Sequence, residues 1–223
     1  HKEEKFIMKL KKIASLALAG IMAVSMLAGC KDNPSSSNPT NPETPEVSTA
    51  SSAVYDALDA NTRLLITSAA ANSTLDQALS DTTATYWNKA DFDYWYAKAI
   101  ANDADPYVDQ FTAGPMLSEV AYALKADTRF DETFVDTKGD KTVVKVYLVG
   151  GHSDSGALAW VANKVDMDVA GKLPANGVNS GVRYEYDYSI SASVADVSRT
   201  INTGIEQNLK IVAVAITQTA TEV

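Results

Sequence analysis

The order of hydrophobic patterns along the chain predicts an α+β fold, with N-terminal helices packed on one face of a C-terminal, mostly antiparallel sheet of about five strands. Three observations carry this. In the first half, apolar residues recur at three- and four-residue spacing, as at Leu117, Val120, Ala121 and Leu124. In the second half they alternate, most cleanly from Val182 to Val194. Finally, Leu209 to Thr217 is nearly all apolar or small, the pattern of a central strand covered on both faces.

Taken in order, Ala53 to Ala71 reads as a helix. Val54, Leu58, Leu65 and Ala69 lie near one face, Ser51 or Ser52 caps its start, and Asn72-Ser73 stops it. Thr74 to Leu79 reads as a short helical turn, with Leu75 and Leu79 four apart. An aromatic cluster follows: Tyr86, Trp87, Phe92, Tyr94, Trp95 and Tyr96. Asp91 is placed to cap a helix to about Ala101, and Asp105-Pro106 ends that segment because a residue before proline avoids the helical region. Gly114-Pro115 opens a helix to Ala126, with proline in its tolerated first-turn position.

The period then changes. Thr133–Asp136 and Lys141–Val149 read as a hairpin around Thr137-Lys138-Gly139-Asp140. Ala157 to Val169 reads as a strand, its end alternating Val165, Met167 and Val169 against Asp166 and Asp168. Leu173 to Gly181 is a loop rich in Pro, Asn and Gly. In Val182–Val194 the residues Tyr184, Tyr186, Tyr188, Ile190 and Ala192 face one way, and Arg183, Glu185, Asp187, Ser189, Ser191 and Ser193 the other. The tyrosine stripe is the pattern of a sheet–helix interface. Val194, Val197, Ile201 and Ile205 recur at three and four residues and predict a helical segment.

These elements divide the chain into four parts. Residues 1–29 form a leader and residues 30–51 a tether. A single domain over 52–223 follows, helical over 52–127 and strand-rich over 128–223. The tether holds Pro34, Pro39, Pro42 and Pro45 among Asn, Ser and Thr, too polar to bury a core. About 20 such residues reach at most roughly 70 Å.

The leader has Lys9, Lys11 and Lys12, an apolar run from Ile13 to Leu27, and then Leu27-Ala28-Gly29-Cys30. This is the layout of an export signal. The run falls about three residues short of the roughly 18 expected of a membrane span. Leu27-Ala28-Gly29-Cys30 resembles the lipobox of bacterial lipoproteins at every position. That resemblance implies cleavage before Cys30, a diacylglycerol on its thiol, and Cys30 as the mature N-terminus. It covers only the leader and the cysteine. Each buried acyl CH₂ contributes about 0.8 kcal/mol, so two or three chains hold a domain durably on a membrane. Cys30 is the chain's single cysteine, so no internal disulfide forms. Residues 1–7 precede Met8, and Lys2-Glu3-Glu4 is what a purine-rich ribosome-binding site would encode, so Met8 is the expected start.

From Cys30 onward the chain has 14 Lys+Arg against 26 Asp+Glu, a net charge of −12. That argues against nucleic-acid binding and against adhesion to anionic headgroups. A glycan, cell-wall polymer or protein remains as the partner class, beside the membrane itself through Cys30.

The chemistry-bearing motifs are few. Gly151-His152-Ser153-Asp154-Ser155 resembles the nucleophile elbow of α/β-hydrolases, which would make Ser153 the nucleophile. It departs from that pattern at Ser155, where the second glycine belongs, and no histidine follows Ser153 to act as base. The stretch therefore reads as a loop joining two antiparallel strands. Gly151 and Gly156 have phosphate-loop spacing, but Ala157 stands where its lysine belongs. One histidine and one lipidated cysteine beyond the leader exclude ordinary zinc or haem ligation. Asp103, Asp105 and Asp109, and Asp136 with Asp140, do not match a calcium-loop pattern. No metal and no cofactor is expected. Within the aromatic cluster, Trp87, Tyr94 and Trp95 are the candidate ligand-binding residues, since such faces stack on sugar rings; the competing reading is core packing.

The functional expectation is a membrane-anchored extracytoplasmic lipoprotein on the outer face of the bacterial cytoplasmic membrane, in a Gram-positive cell. It would serve as a non-catalytic binding or envelope-structural module. The alternative is a carboxylate-dependent envelope enzyme acting on glycan or cell-wall polymer.

Overall fold

A computed structural model describes residues 47–87, 107–111, 114–150, 153–200 and 206–223. Val47–Val223 forms one compact unit. Its class is α+β, built on a mostly antiparallel sheet. The helices are α1 (Thr49–Ala57), α2 (Ala60–Leu65), α3 (Ser73–Tyr86), α4 (Pro115–Leu124), α5 (Phe130–Thr133) and α6 (Asp154–Val169). The strands are β1 (Ile66–Ala69), β2 (Tyr107–Gln110), β3 (Lys141–Gly150), β4 (Asn176–Asn179), β5 (Val182–Thr200) and β6 (Glu206–Glu222).

The sheet order is β1-β5-β6-β3-β2, with β4 also paired to β5. β5 and β6 run antiparallel from Tyr184↔Glu222 to Thr200↔Glu206, and β3 lies antiparallel along the other edge of β6. Only β1 is parallel to its neighbour, at Ile66↔Tyr188 and Ala69↔Ile190. Beyond β1, the edge of β5 is closed by serines at the start of α1. Ser51 Oγ accepts from the Ala192 N–H (2.9 Å) and Ser48 Oγ donates to the Ala192 carbonyl (3.2 Å). These hydroxyls substitute for a neighbouring strand at that point.

Both faces of the sheet are covered, whereas the sequence pattern places helices on one. Alternation along the strands creates the two cores. On the first face, Val143, Tyr147, Tyr188, Ile190, Val212, Val214 and Ile216 meet α1, α5 and α6 through Val54, Phe130, Phe134, Val161 and Val165. On the second, Val144, Val146, Leu148, Ile211, Ala213 and Ala215 meet α3 and α4 through Leu75, Leu79, Leu117 and Val120.

Several elements differ from their sequence pattern. The helix expected over 53–71 is two helices and a strand. Asp59 is extended and caps α2, its carboxylate accepting from the Thr62 N–H at 2.7 Å, while its own N–H donates to the Asp166 carboxylate on α6. α1 also begins inside the expected tether, with Ser48 as its cap. The short turn expected at Thr74–Leu79 extends to a 14-residue helix, started by Asn72 and burying Leu75, Ala78, Leu79, Thr82 and Thr83.

The expected hairpin at 133–149 does not form. Phe130–Thr133 is a helical turn, and β3 pairs with β2 and β6 instead. The expected strand 157–169 is the helix α6, whose buried Ala157, Leu158, Val161, Ala162, Val165 and Val169 recur at helical spacing. The expected loop 173–181 contains β4, joined to β5 through Ser180 (φ 53°) and Gly181 (φ 84°), the two left-handed residues of a tight hairpin turn. Residues 194–200, expected to be helical, continue β5. The helical and strand-rich halves therefore interleave. The helix expected at 91–101 lies outside the described residues. Three expectations match the structure closely: α4, the alternation of β5, and β6 as a central strand buried on both faces.

A polar cluster closes the first face. Gln218 is fully buried; its Oε1 accepts from Thr137 Oγ1 (2.5 Å), and its Nε2 donates to Tyr188 Oη (2.7 Å) and the Phe134 carbonyl (3.2 Å). Tyr188 donates onward to the Pro174 carbonyl (2.8 Å), and Tyr186 to the Thr137 carbonyl (3.0 Å). Gly177 on β4 lies directly against this cluster, and a Cβ there would collide with the Tyr186 hydroxyl. Gly177→Ala is expected to destabilise the protein by about 1–3 kcal/mol through overpacking. In a Tyr186→Phe background the cost should shrink, because the obstructing hydroxyl is gone. Denaturant midpoints of the four proteins in this cycle test it; equal costs in both backgrounds would refute the contact.

Candidate functional site

The stretch Lys141-Thr142-Val143-Val144-Lys145-Val146-Tyr147-Leu148-Val149 forms β3, and its period of two puts Val143, Lys145, Tyr147 and Val149 in one row. That row faces the first core, where Val143, Tyr147 and Val149 are buried. Lys145 stands among them half-buried, paired across the ladder with Val214 of β6. A lysine in such a row lays its methylene stem along apolar neighbours and carries the ammonium toward the rim. There its Nζ lies 5.2 Å from the centroid of the Phe130 ring, within cation–π range. Phe130 is held in place by α5 and packs on Phe134, 5.9 Å between ring centroids.

α6 supplies the acid. Tyr147 Oη donates to Asp168 Oδ2 at 3.1 Å, joining β3 to the last turn of α6. Burial is the main cause that pushes the Tyr147 phenol well above its usual range; the charge and hydrogen bond of Asp168 add to it. Tyr147 is therefore a fixed, protonated donor. Lys145 moves the other way. Burial lowers its pKa, Asp168 and Asp131 partly oppose this, and Lys172 and Arg129 reinforce it. Arg129 is itself engaged with Glu132 at 2.5 Å. Among the described residues, no carboxylate pairs with Lys145 within 4 Å. The cluster thus combines a half-buried amine, an aromatic face and a tyrosine–carboxylate pair on rigid elements. Such an amine gives up its proton at a lower pH than a surface lysine does.

The residues singled out by sequence are placed as follows. Trp87 is 8% exposed at the C-terminal end of α3, in the second core with Leu75, Leu79 and Phe111. Tyr94, Trp95, Cys30 and His152 lie outside the described residues, as do Asp103 and Asp105. Ser153 is the N-cap of α6, its Oγ accepting from the Gly156 N–H at 3.3 Å, so the segment after β3 enters a helix rather than a second strand. Asp136 is committed to β4, its Oδ1 accepting from the Val178 N–H at 3.3 Å. Among the described residues, no group of three or more His, Cys, Asp or Glu side chains is placed to hold a metal ion. Sequence reasoning passed over Lys145 and Asp168. The signal for the first was present: it is the one charged residue between Val143 and Val149. Asp168 was hidden by the reading of α6 as a strand.

Comparison with protein-family models, with curated proteins and with solved structures finds no match.

Two pH effects follow. A lysine with a lowered folded-state pKa weakens the fold while charged, and that cost fades as pH rises toward its unfolded value of 10.5. The melting-temperature difference between Lys145→Met and wild type should therefore fall as pH is raised from neutral toward 10.5. A constant difference would mean that charge on Lys145 carries no cost. Tyr188 behaves oppositely. Burial, with a smaller contribution from Tyr186, pushes its pKa from 10.0 to about 12 against the hydrogen bond from Gln218. Its contribution is complete below pH 10 and is lost as pH rises through about 12. The stability advantage of wild type over Tyr188→Phe should narrow across that interval in alkaline denaturation; an advantage independent of pH would refute the assignment.

Proposed function

We propose that this chain is a membrane-anchored extracytoplasmic lipoprotein whose folded body is displayed as a non-catalytic binding or envelope-structural module. The observation that carries this reading is Leu27-Ala28-Gly29-Cys30, set between a lysine-led apolar run and a proline-, serine- and asparagine-rich segment. A thiol at that point is the acceptor for a diacylglycerol, and acyl chains supply the membrane affinity that an acidic domain lacks. The body is placed on the outer face of a bacterial cytoplasmic membrane. No helix among the described residues is long and apolar enough to cross a membrane.

The display role draws support from how the body uses its polar groups. The serine that most resembles a nucleophile, Ser153, caps a helix, and the buried Gln218, Thr137 and Tyr188 are engaged with one another. With the sheet covered on both faces, a partner would meet helices, loops or strand edges. A glycan, a cell-wall polymer or another protein is the partner class.

Expression of the full chain in a bacterium, followed by mass spectrometry of its N-terminal peptide, tests the anchor. The expected product begins at Cys30 and carries a diacylglyceryl thioether. Cys30→Ser should accumulate uncleaved precursor without lipid. A wild-type chain that retains residues before Cys30 and bears no lipid would overturn the proposal.

A further inference from the structure

Asn176-Gly177 is the chain's single Asn-Gly dipeptide. Such a pair favours a hairpin turn, yet here Ser180 and Gly181 make the turn and Asn176-Gly177 lies inside β4. Packing accounts for the glycine, because a Cβ at 177 would collide with the Tyr186 hydroxyl. It does not account for the asparagine, which is exposed and pairs with Glu185 across the ladder. An asparagine followed by glycine is the pairing most open to cyclisation, since no side chain hinders the attacking nitrogen.

The surroundings of β4 hold that chemistry back. The Val178 N–H points out of the ladder, to Asp136 Oδ1 at 3.3 Å. Successive amides of a strand point to opposite sides, so the Gly177 N–H points into the ladder, toward Tyr184. Asn179 Nδ2 donates to the Asp136 carbonyl at 2.6 Å and fixes the same connection. With these bonds in place the Gly177 nitrogen is directed at β5 and away from the Asn176 side chain. β4 is also only four residues long and at the margin of the sheet, and such elements open locally at far less cost than the whole fold.

We propose that Asn176 is a deamidation site that β4 keeps closed, and that its conversion hinders β4 from closing again. When β4 lifts from β5, the Gly177 nitrogen attacks Asn176 Cγ. A C–N bond forms, the Gly177 proton passes to solvent, the Cγ–Nδ2 bond breaks and the side-chain nitrogen leaves as ammonia. The five-membered imide that remains is opened by water at either carbonyl, which gives aspartate or isoaspartate at position 176. Amide and water become carboxylate and ammonium, with no oxidant or reductant. Either product sets a carboxylate opposite Glu185, where like charges repel. Isoaspartate also adds a methylene to the main chain just before Gly177, which moves that glycine off its fit against Tyr186.

The purified protein is incubated in mildly alkaline buffer, native and in urea, and conversion of Asn176 is followed by peptide mass spectrometry. The native rate should be at least about tenfold below the rate in urea, because reaction requires the open state. Asp136→Gly removes the acceptor of the Val178 N–H at a backbone of φ 47° that suits glycine, and should raise the native rate at least about threefold. Its fold is checked by circular dichroism. Independently, Asn176→Asp should speed hydrogen exchange of the 175–179 amides about twofold to fivefold, and Glu185→Gln should cancel that increase. A native rate equal to the rate in urea would overturn the proposal. So would a folded Asp136→Gly protein with an unchanged rate, or an Asn176→Asp protein whose β4 amides exchange as slowly as those of wild type.

Discussion

The structure depends on β6 being satisfied in four directions at once. Its backbone is hydrogen-bonded to β5 on one edge and to β3 on the other. Its side chains alternate between two cores, Val212, Val214 and Ile216 toward α1 and α6, and Leu209, Ile211, Ala213 and Ala215 toward α3 and α4. Full burial of a Val or Ile side chain contributes about 1.5–3 kcal/mol, so this strand, with β3 beside it, joins the two hydrophobic layers. Every other element takes its position from that strand. β5 lies along it, β3 follows its other edge, and the helices settle where the alternation leaves apolar rows. Ala213 and Ala215 make the row toward α3 and α4 less bulky than the Val and Ile row toward the other helices.

Such a sheet has a register problem, because a slip by one residue exchanges its two faces. Gln218 settles it. It continues the row of Val212, Val214 and Ile216 into the first face, and its amide finds three partners there, on Thr137, Tyr188 and Phe134. In any other register those groups would be buried without partners, at about 1–3 kcal/mol each. The same network draws the 134–140 connection and the end of the α6–β4 connection onto the sheet. Lys145 is the counter-example on the same face. It is polar and half-buried, it has no carboxylate within 4 Å among the described residues, and its ammonium meets the Phe130 ring at 5.2 Å. That contrast separates the two polar features: the glutamine is satisfied by hydrogen bonds inside the core, and the lysine by an aromatic ring at its rim.

Much of the fold was legible where one periodicity had no competitor. In β5, apolar and polar residues exchange at every step from Arg183 to Asp187, a pattern that suits only a strand with one covered face. In α4, Gly114-Pro115 marks the start and the stripe of Leu117, Val120 and Ala121 is helical. Elsewhere two periods coincided. Val165, Met167 and Val169 alternate, yet Ala157, Val161, Val165 and Val169 also recur every fourth residue. Burial decided for the helix, leaving Met167 71% exposed. Asp59 was unreadable as a helix break because its backbone partner, Asp166, is more than 100 residues away. The candidate site suffered in the same way: Lys145 was visible as a charge in an apolar run, but its meaning required Asp168 and Phe130, which only the packing of α6 and α5 brings to it.

By itself the sequence determined the local and covalent matters. It specified the Leu27-Ala28-Gly29-Cys30 pattern and the acidic balance of the residues after it. It also specified the alternation of β5, the all-apolar character of β6, and the class of the fold. These depend on spacing and composition, which a chain carries without being folded. Tertiary structure decided which apolar row met which helix, that both faces of the sheet are covered, and that β3 pairs with β6 rather than turning back on residues 133–136. It alone brought an amine on one strand to a ring on a helix, and a tyrosine on that strand to a carboxylate on another helix. Those outcomes follow from competition between distant segments for the same buried surface, and no local pattern records the winner.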